Sequence, residues 1–310
     1  MIMFIARRVL FMVLTMFVVS LLVFLLLEVN GDAVAIRVLG PYTSEEQRQL
    51  WLESNGYLRP AYVRFGEWLV NVLQGDFGES IRFKVPVSEI LWDRLSNTAI
   101  LGGLVFAIMV PLGIILGVIA GMDEGSPRDR VVTFVSVITT SIPEFASAVF
   151  LSVVFVFTLK WLPGTSSMID GFDWAQIVLP VAVLVIYAFG YVARMMRASM
   201  AEVMQSAYIR TARLKGLPYR RVILGHALRN ALIAPFTVII LQINWLLSGV
   251  IVVESFFAYK GFGALLLEAA LNQDVYLVQA AALVSVFVAV LTQVISDIGY
   301  AYLNPRIRFT

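Results

Sequence analysis

Six stretches of this chain run for about twenty residues or more with almost no charge, and a polypeptide built that way folds in one environment. The cleanest is Val9 to Leu27, 19 residues without a charged side chain, directly after Arg7 and Arg8. At roughly 1.5 Å per helical residue it spans the ~30 Å hydrocarbon core of a bilayer. The others run from about Ala99 to Ala120, Val131 to Leu159, Ala175 to Ala193, Ala231 to Val253 and Tyr276 to Tyr300. The expected fold class is an all-α integral membrane protein with six transmembrane helices. A mean hydropathy of +0.86 and 14% charged residues agree. A signal peptide is the rival reading of the first run, with Ala33-Val34-Ala35 as its cleavage site. The run is too long for that, and Glu28, Asn30, Gly31 and Asp32 intervene, so a retained first helix is expected.

Several chemistries are excluded early. The chain has no Cys and one His, His226, so thiolate metal sites, disulfides and His-based metal sites or relays fall away, and no metal site is expected. No Gly-Lys dipeptide occurs, hence no Walker A loop. No GxSxG occurs either, and no catalytic residue is assigned. His226 reads as a capping or interface residue.

Between the first two runs, residues 28–96 carry ten acids and seven bases. Thr43 or Ser44 starts a capped helix that stops at Asn55-Gly56. Pro60 opens another, with Tyr62, Phe65, Trp68, Leu69 and Val72 on one face, suited to a membrane surface or to packing over a helix bundle. The chain therefore divides into 1–27, a small helical insert 28–96, and a five-helix core 97–310. Within the core, Gly113, Gly117 and Gly121 recur every fourth residue, a spacing that lets another helix approach closely. Glu144 follows Pro143 near the middle of the third run, and Gln242 and Asn244 lie at mid-depth in the fifth. A carboxylate at that depth faces a wet cavity or is a hydrogen-bonded strut between helices; the residues alone leave both open. Gln242 and Asn244 are two apart, roughly 200° around a helix, so both cannot face one cavity squarely.

The most polar stretch of the core is 193–230, which holds eight of the 23 Lys and Arg: Arg194, Arg197, Arg210, Arg213, Lys215, Arg220, Arg221 and Arg229. It reads as helix–turn–helix. Ser206 is placed to cap a helix running to Lys215, Gly216 suits the left-handed position beyond its end, and Pro218 suits the first turn of the next. As a basic loop alone it would only set topology. Its wording says more. YIRTARLKGLPYRRVILGHALRNALIAP resembles the EAA loop of ABC-importer permeases, in the variant of the peptide (oligopeptide/dipeptide) and nickel family, B-type subunit. FIARRVL with VSLLVFLLL, GDFGES, SIPEF, the segment 252–279 and the tail NPRIR resemble the same family along nearly the whole chain. Arg210 and Lys215 stand where other importer families have Glu and Asp, as is normal for the peptide class.

The resemblance implies a type I ABC importer fold with an extracytoplasmic insert. It makes Tyr208, Ile209, Arg210, Thr211, Ala212, Arg213, Lys215 and Gly216 the coupling segment that sits in a groove of an ATPase. It implies a second homologous permease, two ATPase subunits, a soluble substrate-binding protein and surrounding lipid, with no nucleic acid. ATP and Mg would belong to the ATPase subunits, no cofactor to this chain. It also places the third and fifth spans beside the central route. Glu144 and Gln242 then become lining groups of the translocation pathway, with Asn244 pinning a neighbouring helix. Orientation follows from charge: with both termini inside, the short cytoplasmic pieces hold fourteen Lys and Arg against two, Lys160 and Lys260, outside. The expectation is a multi-pass bacterial inner-membrane subunit importing di- or oligopeptides. A nickel chelate, oligosaccharide or opine is the alternative cargo, and an ion-coupled carrier the rival class.

Overall fold

The computed structural model describes residues 2–169 and 171–303, the side chains of 2–5, 247–249 and 300–303 excepted; the NPRIR tail lies outside the described residues. Among the described residues the chain is helical throughout, its one extended pairing an isolated bridge between Glu79 and Pro86. Four helices are long and apolar enough to cross a membrane: Ala6–Leu27, Val87–Gly121, Trp174–Met204 and Val275–Gly299. Two bent pairs, Pro127–Ser141 with Glu144–Thr158 and Tyr219–Ala231 with Ile233–Leu246, bring the candidate spans to six.

The first bend divides the third run, read from the sequence as one span, into two helices. Ile142 is extended (φ −87°, ψ 121°), as a residue before proline tends to be, and the chain turns there by 97°. Glu144 therefore opens a new helix instead of sitting inside an old one. The second bend, 52° at Leu232, lies between the return segment and the fifth run, which is one helix from Ile233 to Phe256. Pro235 falls in the first turn after that bend, where its missing N–H leaves no bond unmade.

The chain forms two compact units, each considered by itself. The first comprises residues 1–98 and 260–291. Its helices are α1 (Ile2–Leu27), α2 (Gly31–Leu39), α3 (Glu45–Ser54), α4 (Ala61–Leu73), the start of α5 (Val87–Gly121), and, later in the chain, a short apolar helix Phe262–Leu271 and most of the last span, Val275–Leu303. Ser44 caps α3 in a reciprocal box with Gln47, and Gly56 (φ +71°) turns the chain after Asn55, as the sequence suggested. Phe65 of α4 packs edge-on to Phe24 of α1 and Trp68 packs tilted against it, with ring centroids 5.3 and 5.8 Å apart. Tyr62, expected on that face, is instead exposed.

Arg64 takes an inward place and is buried. Its guanidinium donates to the carbonyls of Glu28 (2.9 Å) and Val29 (3.2 Å) and lies over the Tyr57 ring at 4.8 Å. The end of α1 would otherwise leave carbonyls unpaired, so an arginine 36 positions away completes it. Beside it Glu28 is also buried, and burial raises its carboxyl above the ordinary range; a hydrogen bond from Tyr57, the charge of Arg64 and the Gln279 amide act against that rise. A raised carboxyl means the fold favours the neutral acid. Its contribution to stability is present at acid pH and is lost as pH climbs through the raised value. Thermal unfolding of the solubilised protein should show that decline, and Glu28→Gln should flatten it; an unchanged pH profile in the variant would refute the assignment.

Asp274, fully buried, caps the last span by accepting from the Leu277 N–H at 3.2 Å. The same carboxylate accepts from the Ser80 hydroxyl and, at 3.0 Å, from the Arg82 N–H, so the GDFGES turn is fastened to the start of that span. The short apolar helix is tied similarly, its Phe262 N–H donating to the Thr98 hydroxyl oxygen at 2.7 Å.

The second unit, residues 99–259 with the end of the last span, is built around α8 (Trp174–Met204). The apolar window of α8 is 61% buried inside the protein against 11% for α1, so α8 is a core element and α1 meets the bilayer or another chain. Against α8 pack the rest of α5, α6 (Pro127–Ser141), α7 (Glu144–Ser152, continued by a wide turn Val153–Thr158) and α12 (Ile233–Phe256). The Gly113–Gly117–Gly121 series lies flat on α8. A Cβ at Gly117 would stand 2.5 Å from the Met196 Cβ and 2.6 Å from the Ala193 carbonyl oxygen. One at Gly121 would stand 2.5 Å from the Arg197 carbonyl oxygen. The packing reading of those glycines holds, and Gly190 gives α8 the same closeness to Ser136 of α6.

Candidate functional site

After Met204 the chain leaves α8 and forms α9 (Ala207–Leu214), then α10 (Tyr219–Arg221), a wide turn Val222–Ala227 and α11 (Leu228–Ala231) before α12. The local signals worked with one exception. Gly216 is left-handed (φ +73°), as its place after a helix end requires, and Pro218 precedes the next helical turn. Ser206 stands at the start of α9, but its hydroxyl donates to the Val203 carbonyl at 2.6 Å and caps nothing. The preceding turn closes on that hydroxyl before α9 begins.

Periodicity decides what the eight residues of the expected coupling segment can offer. Ile209 and Ala212, three apart, turn inward and are buried with Met196 and Met200 of α8 and Val222, Ile223 and Ala227 of the return segment. They anchor α9 and present no surface. Tyr208, Arg210, Thr211, Arg213, Lys215 and Gly216 are exposed. With them stand Leu214, 80% exposed, and Tyr219, over whose ring the Arg213 guanidinium lies at 5.6 Å. The exposed face of α9 and the turn after it thus carries an apolar side chain among several cations.

Two supports went unnoticed in the sequence. The Asn230 amide donates to the Tyr208 hydroxyl at 3.0 Å and to the His226 carbonyl at 3.0 Å, tying the return segment to α9. The His226 side chain itself is exposed. At the base, Arg197 grips Asp129 with two parallel bonds, Nε to Oδ1 at 2.7 Å and a second nitrogen to Oδ2 at 2.8 Å, and also reaches Glu124 at 3.4 Å. Asp129 is buried and further accepts from the Gly125 N–H and the Thr133 hydroxyl. The segment GMDEGSPRDR, residues 121–130, thus supplies both acids that hold Arg197 of α8. A buried Asp facing an Arg 68 positions away carries no local signature.

The three mid-depth polar residues fall in the same unit. Glu144 is partly exposed at the first position of α7, where a helix N-terminus favours a carboxylate. Gln242 is partly exposed with its amide nitrogen buried. Asn244 lies on the opposite side of α12, by the two-residue spacing. Among the described residues no cluster of His, Asp or Glu could hold a metal ion.

A polytopic helical chain with an exposed basic helix between its fourth and fifth candidate spans is a membrane protein by its fold. Residues 113–309 match the family of binding-protein-dependent transport system inner membrane components, and the chain belongs to that family of ABC-importer permeases, in its peptide branch. It is similar to the oligopeptide transport system permease protein AppB of Bacillus subtilis, 33% identical over 99% of each chain. A glutathione transport system permease protein, GsiC of Shigella flexneri, is likewise 33% identical over 99% of each chain. A Brucella abortus protein provisionally named a peptide transport system permease is 37% identical over 95% of each.

Proposed function

We propose that this chain is one of two permease subunits of an ATP-driven importer of di- or oligopeptides, with both termini in the cytoplasm. In this reading α9 docks into a groove of an ATPase subunit, and a soluble binding protein delivers the cargo from outside. The observation that carries it is the knob that α9 forms. Leu214 stands out into solvent beside the left-handed Gly216, on a helix pinned from within by Ile209 and Ala212. A rigid, exposed apolar tip transmits force only if something receives it, and the chain has no nucleotide loop of its own. The peptide-type names of the relatives support the cargo, and the excess of Lys and Arg in short loops on one side supports the orientation.

Reconstituted with its partners, the complex should accumulate peptide only with ATP, and an uncoupler should leave uptake unchanged. Uptake by this chain alone, abolished by an uncoupler, would place it among the ion-coupled carriers.

A further inference from the structure

The first unit holds an apolar groove of about 540 Å³. Its walls come from α1 between Met12 and Ser20, α4 through Leu69 and Leu73, the start of α5 through Trp92, and the last span between Leu283 and Val288. The stretches of α1 and of the last span lie inside candidate membrane spans. From Met12 to Ser20 the helix axis rises about 12 Å, close to the ~15 Å depth of one hydrocarbon leaflet.

The groove has little to offer water. Ser20 brings the one hydroxyl among the described lining residues, and it donates to the Phe17 carbonyl of its own helix at 2.8 Å. A water held there would need roughly two to four polar partners. Left empty, the walls would forgo their dispersion contacts. The occupant is therefore apolar.

Its source follows from what the groove adjoins. Val13, Phe17 and Phe287 line it and are 61, 46 and 43% exposed, and on α1 that exposed face continues through Leu10, Leu14 and Val18. The groove is a side recess in the apolar surface that a membrane-spanning chain turns to lipid. The α4 wall agrees. With 13 residues α4 is too short to span the core, and Leu73, on its groove side, is 78% exposed. A short amphipathic helix rests its apolar side on acyl chains at the headgroup boundary. Trp92, 58% exposed, brings an indole suited to the same level.

We infer that this groove holds one acyl chain of a membrane phospholipid as a resident part of the protein. The site needs only that the chain spans a bilayer, so it stands apart from the cargo and the ATPase. In the bilayer an acyl chain is already dry. What retains it is contact with four walls at once, not removal from water. The bound chain fills the space between α4 and the two spans below it.

The test takes the assembled complex from vesicles of phosphatidylcholine brominated at mid-chain, which quenches indole emission, into detergent. Loosely attached lipid is lost on dilution, and retained phospholipid is counted by mass spectrometry. Val284→Phe and Val13→Phe put bulk into two different walls, and Val13 is exposed enough that folding should not suffer. Each variant should carry one phospholipid fewer than the parent. The emission of Trp92, read as the difference between the parent and Trp92→Phe, should stay quenched in the parent and recover in both variants. Lipid counts equal to the parent's in both variants would overturn the site. So would a parent complex whose Trp92 is unquenched, because detergent or a neighbouring subunit would then fill the groove. Peptide uptake is measured on the same samples, and its absence would leave the lipid result standing.

Discussion

Replacing Gly216 with valine is expected to leave the permease inserted and assembled while uptake per ATP hydrolysed falls by about tenfold or more. The reason is backbone, not space. Gly216 sits at φ +73°, and a Cβ built there meets nothing within 4 Å. A β-branched residue in that region costs roughly 1–2 kcal/mol, and the chain relieves it by reopening the turn between α9 and α10. That turn aims Leu214 and the cations around it, so a small local strain becomes a misplaced knob. Gly216→Asn supplies the control, because asparagine tolerates the left-handed region. It should recover most of the coupling. If the valine variant transports as well per ATP as the parent, or the asparagine variant fails equally, the turn does not set the knob.

Removing the clamp at the base should cost more in stability. Arg197→Ala leaves the Asp129 carboxylate buried with its two charged donors gone, a change of about 1–3 kcal/mol for a charged group that keeps its local donors. The expected result is a marked fall in thermal stability and in recovery of the assembled complex. Asp129→Asn should cost less, because the amide oxygen keeps one of the two bonds offered locally and no charge is stranded. The double variant should then be more stable than Arg197→Ala alone. Arg197→Lys should recover only part of the loss, since an ammonium cannot reproduce two parallel bonds. An Arg197→Ala protein as stable as the parent would show that the clamp is dispensable. The stability effect also separates this arginine from the six exposed bases at positions 210, 213, 215, 220, 221 and 229, whose loss should weaken docking and leave folding unchanged.

The sequence by itself determined whatever depends on solvent or on the nearest few residues. Long uncharged runs have one favourable environment, so the spans from Val9, Ala99 and Ala175 were legible. A capping serine with a glutamine three residues on, and glycines at 56 and 216 just past helix ends, are local backbone chemistry and gave the same turns in both readings. The EAA-like wording located the knob for the same reason: its helix, stop and return are consecutive. The four-residue glycine spacing announced a close helix contact.

Only the tertiary structure decided which surfaces those glycines meet and which side of each helix faces inward. Ile209 and Ala212 look like part of a contact sequence until α8 is seen behind them. The 97° turn at Ile142 was underestimated because Pro143 guarantees a weakened helix and says nothing of how far the chain then swings. The clamp of Arg197 on Asp129, the Arg64 cap on α1 and the Asp274 hub join residues 68, 36 and 194 positions apart. Burial is what makes each carboxylate or guanidinium demand a partner, and burial is a property of packed helices. The stack of Trp245 on Tyr187 has the same origin: each ring is ordinary in its own segment, and the packing of α12 on α8 brings the two face to face.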